Sequence, residues 1–226
     1  MDFTFGVCVT SHNKDYHDMI IDSIEQLNIP NYEILFIGVE DCENDRVKLL
    51  DFDESVKKGW ITRKKNLLCQ NAKFENVVLL HDYVAFNALW YEGFLKFGND
   101  WEAAMNVILN SDGNRFRDWC LNPYDVIPPE GPIANREFLL PYEETKLNSK
   151  MYFSGAYWVA KTKFMLSHPL DEKLGWAESE DMEWSNRARE DTQFVMNPFS
   201  IVYFLKNKYD DFTHITQENL EKVRPA

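Results

Sequence analysis

The sequence predicts an α/β fold, a mostly parallel central sheet with helices on both faces, and three observations carry that prediction. The first forty residues read strand, helix, strand. A later run of four apolar residues, Val77-Val78-Leu79-Leu80, has the length and composition of a buried strand. Between them lies a helical pattern, and strands that alternate with helices build parallel sheets covered on both sides.

Phe5 to Thr10 is apolar and β-branched and stops at Ser11-His12-Asn13-Lys14-Asp15, which offers several helix caps. Tyr16, Ile20, Ile24 and Leu27 then recur at helical spacing until Pro30 closes the helix. Glu33 to Val39 reads as the second strand. Residues 40–58 are highly charged and weakly periodic, as in a solvated loop or short surface helix. Gly59 to Asn66 leads into Leu67, Leu68 and Ala72, a helix that precedes the Val77–Leu80 strand.

Beyond Asp82, Trp90, Phe94 and Phe97 suggest an amphipathic segment ended by Gly98-Asn99. Pro123, Pro128, Pro129, Pro132 and Pro141 mark a long ordered loop, either a structural wrap or a wall facing an acceptor. Met151 to Ala160 reads as one strand whose Ser154-Gly155-Ala156 implies a close backbone approach. Lys161 to Leu166 makes one or two helical turns, a helix with an acidic start opens at Glu178, and Ile201 to Leu205 is the final strand.

A length of 226 residues suits a single α/β domain with insertions. Lys and Arg number 24 against 37 Asp and Glu, a net charge of −13 that repels polyanions and argues against nucleic acid or an anionic bilayer as partner. A phosphate-bearing ligand would therefore need local cations or a metal. Cys8, Cys42, Cys69 and Cys120 are widely spaced, so reduced thiols are expected rather than a zinc knuckle or disulfide framework. No apolar run reaches the roughly 18 residues of a membrane span, and no cationic segment precedes an apolar one at the start. The expectation is a soluble cytoplasmic protein.

The Val77–Leu80 strand runs into His81-Asp82-Tyr83, and a carboxylate just past a strand end sits at the mouth of the sheet, where open α/β folds bind ligands. Asp is equally a favoured turn residue. Arg63, Lys64 and Lys65 either add positive charge there or form a solvated helix face, with Arg63 the choice if only one points inward. Trp158 reads as core, while Trp176 and Trp184 are either core residues or aromatic faces on which a ligand ring stacks.

The order of these pieces, over residues 3–190, resembles the GT-A glycosyltransferases, particularly glycosyltransferase family 2 and its relatives. Thr10-Ser11-His12-Asn13 resembles that family's first nucleotide-contacting loop, and Gly59 to Asn66 its Gly-x-x-x-Ala-Arg-Asn segment. Leu79 to Tyr83 stands where the family has Asp-x-Asp, and Trp176 to Trp184 resembles its Glu-Asp catalytic segment. The resemblance implies one GT-A domain over 1–226, with a nucleotide-binding half (1–100) and an acceptor and catalytic half (101–226). It implies hexosyl transfer from a nucleotide-sugar donor, most often a UDP-sugar, to the hydroxyl of a glycan or other acceptor.

Nucleotide contacts then fall to Thr10, Ser11, His12, Glu40, Arg63, Asn66, His81 and Asp82, with Glu40 at the second-strand end that meets the base. A Mn²⁺ or Mg²⁺ ion would neutralise the diphosphate leaving group, held by Asp82, His81 and His214, the last because some GT-A enzymes use a histidine near the C-terminus. His81-Asp82-Tyr83 keeps one carboxylate of the usual pair, so either Asp82 holds the metal with His81 or a distant residue, or cations replace it. Asp181, with Glu180 beside it, is the expected base of an inverting transfer. Two alternatives remain: a non-catalytic GT-A-like domain, favoured by the missing first acid, and a sugar-phosphate nucleotidyltransferase, which needs a glycine-rich loop absent from residues 10–14.

Overall fold

The computed structural model describes residues 1–10, 13–39, 42, 44–122, 137–208 and 212–214, with the backbone alone for 137, 138 and 212–214. Strand β1 (Phe3–Cys8), helix α1 (Lys14–Glu25) and strand β2 (Tyr32–Ile37) form the opening unit, as the apolar spacing requires. All six residues of β1 are buried. A strand covered on both faces is apolar throughout rather than alternating. Helix α1 buries His17, Ile20, Ile21 and Ile24 against the sheet.

The charged stretch 40–58 contains a strand that its composition hides. Val47–Leu50 is β3, an edge strand parallel to β2 and only partly buried, so it carries neither the length nor the continuous apolar run of an interior strand. Helix α2 (Ile61–Asn71) and β4 (Asn76–His81) follow, and the four residues Val77 to Leu80 are each no more than 1% exposed. Burial of that kind stabilises by about 1.5–3 kcal/mol per large apolar side chain. Next come β5 (Val84–Phe86), α3 (Trp90–Phe97) and β6 (Ala103–Leu109). Short strands β7 (Cys120–Leu121), β8 (Glu137–Leu139) and β9 (Met151–Tyr152) precede β10 (Tyr157–Lys161), α4 (Thr162–Ser167), α5 (Glu180–Asp191), β11 (Val195–Phe204) and β12 (Phe212–His214).

The main sheet has the order β3-β2-β1-β4-β10-β6-β11-β5, and β12-β8-β7-β9 form a smaller one. The main sheet is mixed: β10 and β5 run against the other six strands. The expected single strand over 151–160 is two strands in different sheets, because the chain leaves the small sheet and enters the large one across Phe153 to Ala156. A strand-like composition does not reveal which sheet each half joins. The core beneath is aromatic, with Trp158 stacked on Trp184 at 5.3 Å and Phe153 on Phe194 at 4.2 Å.

All four cysteines are free, and burial pushes the Cys8 thiol up to about 12, in keeping with inert core thiols. No helix among the described residues is long and apolar enough to cross a membrane. The proline-rich stretch from 123 to 136 lies outside the described residues.

Candidate active site

Because β1, β2, β4, β6 and β11 share a direction, their C-terminal ends open on one edge of the sheet. A pocket of about 700 Å³ lies there, a size that suits a nucleotide-sized ligand. Val9 and Thr10 enter it from the end of β1, Gly38 from β2, and His81 and Tyr83 from β4. Gly59, Ile61 and Lys64 line it from the start of α2, and Trp176 closes one side, 71% exposed. Gly38, at φ +93°, leaves room that a Cβ would take from the Lys64 ammonium, 2.5 Å away.

Asp82 is fully buried, and its carboxylate accepts hydrogen bonds from the Thr10 backbone N–H at 3.0 Å and the Thr10 hydroxyl at 2.9 Å. It ties the loop after β1 to the end of β4. His17 Nε2, on the buried face of α1, stands 4.0 Å from the same carboxylate. His81 is buried, and burial, then the charges of Lys65 and Lys208, hold its pKa well below the usual imidazole range. Its ring is therefore neutral at pH 7. Burial, with the charges of Asp82 and Glu180, pushes the Tyr83 phenol up, so it too is neutral.

The three basic residues of α2 divide differently from the expectation. Arg63 turns outward to Glu172 at 2.9 Å, while Lys64 and Lys65 are buried. Lys64 donates to the Val9 carbonyl at 3.0 Å and pairs with Glu54. Lys65 donates to the Gly155 carbonyl at 2.8 Å and lies 4.3 Å over the Trp158 ring. Asn66 also faces away from the pocket, bridging Leu170 and Glu172. Helical periodicity explains the correction: Arg63 and Asn66 share the face that meets the 170–174 segment, one turn apart. With Trp60 Nε1 donating to the Glu172 carbonyl and the Thr62 hydroxyl to that of Leu174, they fix the segment that presents Trp176. Trp184, by contrast, is core, as is Trp158.

Glu180 and Asp181 begin α5 and flank Gly155, where a Cβ would stand 3.1 Å from Glu180 Oε1 and 3.2 Å from Asp181 Oδ2. That explains the glycine. Asp181 accepts hydrogen bonds from the Gly155 N–H at 2.7 Å and the Met182 N–H at 2.9 Å. Glu180 is 7% exposed, and burial raises its pKa against the opposing charge of Lys65, with Asp181 adding to the rise. The pair joins the pocket through one backbone step, since the His81 N–H donates to the Ala156 carbonyl at 3.0 Å.

Two further cations were not singled out in the sequence. Lys206 and Lys208 follow β11 and line the pocket beside Tyr83. The signal was available: lysines two apart, just past a strand, in an acidic chain. Ser11, His12 and Glu40 lie outside the described residues, and so does the side chain of His214, whose backbone ends β12. A hard divalent cation wants several oxygen ligands. Around Asp82 the described residues offer one carboxylate committed to Thr10, the His17 imidazole 4.0 Å from it, the neutral His81 imidazole and a neutral phenol faced by ammonium groups, and among them no group of three His, Cys, Asp or Glu side chains could hold such an ion.

No protein-family model matches the sequence, and neither does any curated protein. Solved structures do match. GalNAc-T7, determined with UDP, GalNAc and Mn²⁺, aligns at a TM-score of 0.66 and 13% identity, over 95% of this chain and 44% of that one. The fold is that of the GT-A glycosyltransferases. S. aureus TarS gives 0.56 at 13% identity, over 99% of this chain and 38% of TarS. Its 1–349 fragment in complex with UDP-GlcNAc gives 0.59 at 12%, over 99% and 64%. The chain thus spans 38% to 64% of the length of these structures.

Proposed function

We propose that this chain is a glycosyltransferase that moves a hexose from a UDP-sugar to an acceptor hydroxyl with inversion at the transferred carbon. The observation that carries this reading is the cationic pocket at the mouth of a GT-A sheet, one backbone step from the Glu180–Asp181 pair. The nucleotide lies against Thr10 and the ends of β1 and β2, and the diphosphate lies toward Tyr83. Trp176 supplies an exposed aromatic face for a ring of the donor.

Transfer needs a base that takes the acceptor proton while the sugar–phosphate bond breaks and UDP leaves. Asp181 is that base, positioned by the Gly155 and Met182 N–H groups, and Glu180 beside it supports the site. The uridine preference is supported by UDP in the GalNAc-T7 structure and UDP-GlcNAc in the TarS structure. The Mn²⁺ of the GalNAc-T7 structure belongs to that protein, and the described residues around Asp82 do not fit such an ion, so no step is routed through one. The Gly155–Asp181 bond also suits a second reading, a domain that binds UDP-sugar without turning it over.

Protection from heat by UDP, GDP, CMP and dTDP tests the donor assignment. UDP is expected to raise the melting temperature most. A rise with GDP and none with UDP contradicts the uridine assignment. Product configuration by NMR tests the inversion, and a retained anomer removes Asp181 from the role of base in a single displacement.

A further inference from the structure

The pocket reverses the sign of the molecule. Among the described residues, a chain of net charge −13 lines this cavity with Lys58, Lys64, Lys206 and Lys208 against one carboxylate, Glu54, which pairs with Lys64. Two of the four lysines, Lys206 and Lys208, stand beside Tyr83. Lys206 Nζ lies 4.2 Å from the centre of the Tyr83 ring, and Lys208 Nζ donates to Tyr83 Oη at 3.0 Å. Their placement is set by the backbone: Leu205 N–H donates to the Tyr83 carbonyl at 2.8 Å, and Lys208 and Asn110 bond to each other at 2.9 and 3.2 Å.

We propose that Lys206 and Lys208 neutralise the donor diphosphate in place of a divalent cation, so that the nucleotide binds without metal. This rests on the UDP-sugar reading above. Among the described residues, a dication brought to Asp82, His81 and Tyr83 would meet two ammonium groups and a single carboxylate already holding Thr10. A diphosphate at the same place meets two cations, and lysine serves as a point-charge partner for phosphate. Lys206 is exposed and Lys208 half-buried, so both heads are at the surface of the pocket rather than sealed beneath it.

Calorimetry of UDP binding in EDTA and in Mn²⁺ tests this on the parent, Lys206→Ala, Lys208→Ala, the double variant and Lys208→Arg. UDP affinity in EDTA is expected within about twofold of that in Mn²⁺. Each alanine should weaken UDP about tenfold and the pair about a hundredfold, the scale of lost charge-assisted hydrogen bonds. Lys208→Arg should keep most of the affinity, and uridine, lacking the diphosphate, should bind all five proteins alike. Folding is protected because Lys206 is exposed and Lys208 holds Asn110 through its backbone. Binding of UDP to the parent in Mn²⁺ alone, or parent affinity in the double variant, overturns the proposal and leaves the donor reading standing. Failure of UDP to bind in either condition overturns the donor reading, and this proposal with it.

Discussion

Asp82 acts first on the protein itself. Its buried carboxylate accepts two hydrogen bonds from Thr10, and an asparagine there would turn an N–H₂ toward one of those donors. Asp82→Asn should cost about 1–3 kcal/mol of stability, read from the urea midpoint, and should weaken UDP by loosening the loop after β1. Equal UDP affinity in variant and parent would take Asp82 out of the site. Glu180 gives a pH-dependent counterpart. Its pKa is raised above the ordinary 4.5, so the folded chain keeps this proton to higher pH than the unfolded chain does. The stability it contributes is present below that ordinary value and is lost as pH rises through the raised one. Glu180→Gln stays neutral throughout, so between pH 4 and pH 7 the variant should gain stability relative to the parent. A stability difference that does not change with pH contradicts the shift.

Between residue and fold, the segment from β9 to β10 couples binding to chemistry. Gly155→Ala would push a methyl to within 3.1–3.2 Å of both acidic side chains of α5, closer than ordinary van der Waals contact. UDP affinity should be kept while transfer falls by about tenfold or more, since a base displaced by a few tenths of an ångström loses its alignment; unchanged transfer would separate Gly155 from the reaction. The same segment shows what the sequence could convey. The apolar runs at β1, β2 and β4 have no other use than a buried parallel sheet, and the helical spacings of α1 and α3 are equally plain. Edge strand β3 lacked a pattern because half its surface faces water, and the split of 151–160 between two sheets depends on long-range pairing. Among the proposed site residues, Asp82, His81, Glu180 and Asp181 could be picked out in the sequence because each stands next to a strand or helix end. The outward turn of Arg63 and the inward turn of Lys64 and Lys65 depended on what packs against α2, namely the 170–174 segment, a hundred residues away in sequence.

At the scale of the whole molecule, a strongly acidic chain carries a basic cavity, an arrangement that draws a compact anion inward and turns away polyanions. UDP affinity should therefore fall several-fold between low salt and about 0.5 M, as screening shortens the reach of the lysines, and a salt-independent affinity would argue against charge as the source of binding. What joins pocket, lysines and α5 into one machine is turnover. The most direct measurement is release of UDP from a panel of UDP-sugars, with acceptor or water, by the parent and by Asp181→Asn. The account predicts that the parent turns over at least one donor and that the variant, which still binds UDP, is slower by a factor on the order of 10² to 10⁴. Binding of UDP with no turnover by the parent, or near-parent turnover by Asp181→Asn, would contradict it.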